Sequence, residues 1–335
     1  MKNALRRVGG MKILLIIFLA VLTSAATAAY ATEQPRKSEA EQMKIAQQGL
    51  DLLLNGEPDP ALKVFAEIKT DDPESPLGYL LEADALWWKI YFTTADLVDP
   101  DVFVVPATST TPYDAQFNKL VDTAISKARA NRSANRDVAK SYLYEGMAYA
   151  LRARLLSMRD SDLATAKAGK KMRSLLITAL EHDRNLRDAY LGLGLYDYFV
   201  DTLPTIVKLL RWIIGLPGGS REKGLQEIEY AAKYGELTHG EALFYLAKDY
   251  SRTNENQFAE SLQLFQQLRS QYPRNGLWTL LVGSLEIRMG RAKEGEALYR
   301  EVLDQSRGKE TEAGKALYKA ARKALVRRHP DEHFE

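Results

Sequence analysis

Three stretches of this chain repeat one spacing. Ala61, Phe65, Ile68 and Pro73 are separated by steps of 4, 3 and 5 residues, and Ser261, Phe265, Leu268 and Pro273 follow the same steps. Gly295, Tyr299 and Val302 repeat the first two steps with no proline after them. Steps of three and four place such side chains on one face of a helix. Gly49 stands twelve residues before Ala61 and Gly283 twelve before Gly295, with Gly290 in the second interval.

This pattern resembles the tetratricopeptide repeat, and the resemblance implies that the small residues let two helices approach closely, that the bulky residue one turn later fills the gap, and that proline ends the pair. Laid in the 34-residue frame of that family, units fall at 42–75, 76–135, 136–186, 187–239, 240–275 and 276–309. The fifth carries two extra residues in its turn, and the second, third and fourth are stretched. Ala179 and Leu180 close one helix, and Ala189-Tyr190-Leu191-Gly192-Leu193-Gly194 opens the next much as the family pattern would. The resemblance implies an all-α right-handed superhelix of about six helix pairs. The basic stretch from Lys309 to Arg328 reads as a solvated final helix that caps the array. Gly, Pro and Asn cluster where turns are wanted, at 55–58, 71–73, 216–219 and 272–276. Ser220 precedes Glu222 as a helix N-cap. Strand signals are weak, the best being Val102-Phe103-Val104-Val105.

The N-terminus reads as an address. Residues 1–31 hold Lys2, Arg6, Arg7 and Lys12 and no acid, then an apolar run from Ile13 to Leu22, then small residues ending in Ala29-Tyr30-Ala31. Basic head, short apolar middle and an Ala-x-Ala exit are the parts of a secretory signal, so the chain is expected to be exported and periplasmic. An uncleaved anchor is the second reading, against which stands the run's shortness beside the ~20 residues of a spanning helix. Removing the segment leaves 42 of the 46 basic side chains against 44 acidic ones, a net −2. That balance argues against nucleic acid. The chain has no cysteine, which excludes disulfides, thiolate metal sites, a cysteine nucleophile and attachment of lipid to an N-terminal cysteine.

No motif for catalysis emerges. None of His182, His239, His329 and His333 falls in His-Glu-x-x-His. Gly218-Gly219-Ser220-Arg221-Glu222 is not a nucleophile elbow, and the glycines before the helix at 221 lack the phosphate-loop spacing. Asp71 and Asp72, and Asp96, Asp99 and Asp101, suit turns, where aspartate bonds the backbone locally. The expectation is therefore no enzyme, no cofactor and no metal. Two insertions interrupt the frame, near 93–114 and 203–219. Within the second, residues 205–216 carry Lys208, Arg211 and Trp212 among apolar residues. Such a segment reads either as a helix packed into the array or as a basic amphipathic contact with a membrane surface.

By the resemblance, the first helix of each unit lines a concave face. Carried over residue by residue, that face gives Trp87, Trp88, Tyr198, Phe199, Phe244, Lys248, Arg252, Ile287 and Arg288. An aromatic half and a cationic half suit a partner's apolar anchors and an acidic segment. The competing reading packs Trp87, Trp88 and Phe199 against the inserted segments. The family's carboxylate clamp is not matched, since Phe244 and Lys248 stand where lysine and asparagine are wanted. The chain is thus expected to be a non-catalytic scaffold or adaptor for a protein or peptide. A membrane-associated envelope assembly factor and a periplasmic hydrolase are the alternatives.

Overall fold

A computed structural model describes residues 36–99, 110–202, 215–331 and 334 of the 335-residue chain. The expected leader at 1–31, the segment Val102–Val105, His333 and nearly all of the amphipathic stretch 205–216 lie outside the described residues. Among the described residues there are thirteen helices and no strand. Six pairs come first: α1 (Glu39–Leu54) with α2 (Pro58–Asp71), α3 (Pro76–Thr94) with α4 (Asp114–Ser133), and α5 (Val138–Met158) with α6 (Asp162–His182). They continue as α7 (Ala189–Thr202) with α8 (Arg221–Tyr234), α9 (His239–Tyr250) with α10 (Phe258–Gln271), and α11 (Gly276–Arg288) with α12 (Ala292–Ser306). A single helix, α13 (Glu312–Arg328), follows. Each helix packs on the next, and from Glu39 onward they form one unit.

The pairs close where side chains vanish. A Cβ placed on Gly224 of α8 would lie 2.6 Å from the Tyr198 nitrogen and 2.7 Å from the Gly194 carbonyl oxygen of α7. A Cβ on Gly283 of α11 would lie 2.9 Å from the Tyr299 ring and 3.0 Å from the Gly295 carbonyl of α12. Gly49 lies against the Phe65 ring in the same way. In the fifth pair no glycine is needed, because the Ser261 hydroxyl donates 2.6 Å to the Ala247 carbonyl across the interface. Side-chain caps start four helices. Ser75 accepts from Leu77 N, Ser220 from Lys223 N, Asn275 from Leu277 N and Thr311 from Gly314 N.

Helix α3 is mostly apolar, with Glu82, Asp84 and Lys89 its charged residues, and fourteen of its nineteen residues are buried, as a helix of that kind must be. Trp88 of α3 meets Phe244 of α9 at 5.6 Å and Trp278 of α11 at 6.1 Å between ring centroids. The first and last pairs also touch. The Leu54 carbonyl accepts hydrogen bonds from Asn275 Nδ2 (3.0 Å) and Trp278 Nε1 (2.9 Å), and Arg274 pairs with Glu57 at 2.8 Å. Helix α13 packs on α12 and on α3. Its buried face of Ala313, Gly314, Leu317, Ala321, Ala324 and Leu325 corrects the expectation of a solvated final helix: leucine and alanine recur at helical steps beneath its basic residues.

The two kinds of glycine should separate on substitution. Gly224→Ala forces a methyl into backbone and is expected to cost about 2–3 kcal/mol. Gly169→Ala in α6 meets only Tyr196 at an ordinary 3.7 Å and should gain about 0.5–1 kcal/mol of helix propensity. Urea unfolding of both variants followed by circular dichroism checks the opposite signs.

Candidate binding cleft

The expected partner-binding residues fall into separate local contacts on or beside α3, α7, α9 and α11. Trp87 and Trp88 meet edge to face at 5.3 Å, and Trp88 meets Phe244. The Lys248 ammonium lies 5.7 Å from the Phe244 ring centre and donates to Tyr91 Oη at 3.5 Å. Arg252 lies over Tyr198 and Phe199 at 5.7 and 5.6 Å. Arg288 donates 3.2 Å to the Ser251 carbonyl and pairs with Asp99 at 2.7 Å.

Proximity holds, but exposure does not. Trp87 and Trp88 are 2% exposed, and Tyr198, Phe244 and Lys248 are 0% exposed. Trp88 borders a cleft away from the other four, and its ring packs with Trp87, Phe244 and Trp278 where α3, α9 and α11 meet. Phe199, Arg252, Ile287 and Arg288 are half-buried. The turn acids behave as their type suggests: Asp96 Oδ1 accepts from the backbone of Val98 and Asp99. His329, expected in a solvated tail, pairs with Glu296 at 2.9 Å.

Open space lies elsewhere. A cleft of about 290 Å³ is bounded by α1, α3, α9, the connection through Leu237, and Tyr272. Leu50, Leu54, Trp88 and Leu237 form its apolar wall, and Asp51, Asp84, Glu236, His239 and Glu241 its polar groups. A smaller cavity of about 50 Å³ shares Asp84 and Glu241 with it and reaches Arg154 of α5 and Leu191 of α7. The two linings contain neither serine nor lysine. Among the described residues no group of three or more His, Asp or Glu is placed to hold a metal ion.

At the junction of the two spaces, two carboxylates share one guanidinium. Arg154 Nη1 pairs with Glu241 Oε1 and lies 3.7 Å from Asp84 Oδ1. The guanidinium is held between Trp87 and Tyr245, 5.1 Å from each ring centre, a favourable placement for a desolvated cation. Burial works against its charge, but Glu241, Tyr245 and Asp84 outweigh burial and keep it protonated. Asp84 fares worse. Burial first and Glu241 second push its carboxyl up to about 8, with Arg154 opposing, and its Oδ1 accepts no hydrogen bond. Asp51 at the mouth is also raised, by burial, with His239 opposing. Reading the sequence missed this group. Its one signal is Asp84 itself, an acid inside the apolar run Leu77–Trp88 whose other acid, Glu82, is met by Lys69 at 2.6 Å.

No family model matches the chain, and no curated protein matches it.

Folded Asp84 keeps its proton to about pH 8, against an ordinary value of 3.8. The folded state therefore binds the extra proton between those values, and stability falls as pH rises through that window. Asp84→Asn removes this slope. Its thermal midpoint should match the parent's near pH 5 and exceed it by on the order of 5 °C near pH 8, as differential scanning fluorimetry across pH would register.

Proposed function

We propose that this protein is an exported, non-catalytic scaffold of tetratricopeptide-like helix pairs that binds a segment of a protein partner in the cleft between α1, α3 and α9. One observation carries the reading. The cleft is walled by the first helices of three different pairs, and a stacked helical array presents its binding surface on such inward faces. The nesting of Gly49 on Phe65, and of Gly283 on Gly295 and Tyr299, supports the repeat family. The basic head, apolar run and Ala-x-Ala exit of residues 1–31 support export. The polar groups of the lining favour binding over reaction, since the carboxylates face a guanidinium and not a nucleophile.

A membrane-associated assembly factor is the second reading, favoured by Lys208, Arg211 and Trp212 in the second insertion. No helix among the described residues is long and apolar enough to cross a membrane. Release by carbonate wash without detergent separates this reading from the first.

The cleft assignment is tested by photocrosslinking in cells. A crosslinker at Gln47, exposed on the cleft wall, is expected to capture a defined partner. One at Leu163, 53% exposed on α6, is not. Equal capture from both positions, or none from Gln47, overturns the assignment.

A further inference from the structure

We propose that the cleft receives a lysine side chain of the partner segment, its aliphatic stem along Leu50, Leu54, Trp88 and Leu237 and its ammonium at Asp84 and Glu241. This inference rests on reading the cleft as the partner's site, and names the chemistry recognised there.

Three features of the cavity converge on that ligand. Its charge is lopsided: Asp51, Asp84, Glu236 and Glu241 line the cleft against His239, while Arg154 at the inner end is already engaged by Glu241. A carboxylate or phosphate entering would add a further anion to that set. Its volume of about 290 Å³ sits at the low end of ligand pockets, fit for one long side chain and too small for a helix. Its depth is graded. Leucines and Trp88 lie along the wall, and the Asp84 side chain, 14% exposed, borders both spaces at the inner junction with Arg154 3.7 Å from its Oδ1. An apolar stem with a cationic end matches that gradient, as lysine stems commonly cover apolar surface while the head seeks polar partners. A neutral apolar side chain would offer Asp84 no donor.

A proton is linked to this binding. The groups facing Asp84 are Arg154 from α5 and Glu241 and Tyr245 from α9, with Asp51 of α1, His239 of α9, Glu236 and Asp188 along the same linked cavities. Below about pH 8 Asp84 carries a proton, and an arriving ammonium favours its loss. Affinity for a cation should therefore climb with pH, up to tenfold per unit, and level off above about 8.

Isothermal titration calorimetry of the purified chain is the test. The probes are the acetylated, amidated pentapeptide Gly-Gly-Lys-Gly-Gly, its norleucine counterpart and free cadaverine. The lysine peptide should bind about tenfold or more tightly than the norleucine peptide, with affinity rising from pH 6 to pH 8. Asp84→Asn should abolish both the preference and the pH slope. Should that variant unfold by circular dichroism, the exposed pair Asp51→Asn and Glu236→Gln must still weaken lysine binding several-fold, most at low salt. Equal binding of lysine and norleucine peptides, an unchanged pH slope in Asp84→Asn, or cadaverine binding as tightly as the peptide overturns the proposal. If both peptides bind equally and Gln47→Trp blocks them, the lysine inference fails and the partner cleft stands. If Gln47 crosslinks nothing, the cleft reading itself fails.

Discussion

Backbone resting on backbone is the constraint from which the rest of this molecule follows. Where Gly194 meets Gly224 and Gly283 meets Gly295, the helices of a pair are so close that a single methyl would strike main-chain atoms. Interiors packed at crystal density do not absorb such an atom by small adjustments. The close approach fixes the depth at which each pair sits, and with it which residues of the first helix point inward. Ser261 achieves the same end with a hydroxyl that bonds the Ala247 carbonyl. That is why a serine keeps the spacing that glycine and alanine hold in the other two stretches.

What lies inside those pairs is set by α3. A helix so largely apolar cannot lie at a surface, so its neighbours must cover most of it. Helices α9, α11 and α13 supply that cover from more than 150 residues away, which is seen in the Lys248–Tyr91 bond with its separation of 157 residues. Arg274 and Glu57, Asn275 and Leu54, and Arg288 and Asp99 join the two ends of the chain around it. These long-range bonds are polar and range from exposed (Arg274–Glu57) to buried (Asn275–Leu54). They add direction to a closure that apolar burial drives.

The pairing of helices was legible in the sequence because it is local. The steps from Gly49 to Phe65 and from Gly283 to Tyr299 encode one contact each within about sixteen residues, and turn residues mark the ends. Neighbours on one helix face follow the same steps, with Phe244 and Lys248 four apart on α9. Whether such a face is open or filled was not legible. It depends on the return of α11 and α13 onto α3, and no periodicity reports an encounter between distant segments. The same limit hid the cleft. Asp84 and Glu241 are separated by more than 150 residues, and each looks ordinary until α5 brings Arg154 between them.

Two buried acids remain unusual in this core, and their contrast is informative. Asp249 is 0% exposed, and its two carboxyl oxygens accept no hydrogen bond. Burial holds its pKa well up, with Arg252 and Lys248 opposing. A neutral carboxylic acid in such a place costs the core some polarity but no charge. Asp84 is different because open space reaches it. An acid that needed only to be buried could be replaced by leucine at a gain in stability, as buried ion pairs often can. Asp84 borders a cleft, shares the Arg154 guanidinium with Glu241, and holds its proton up to about pH 8. A strongly shifted acid beside open space is a candidate for binding rather than for packing alone. That border on open space separates Asp84 from the buried acid at the far end of α9.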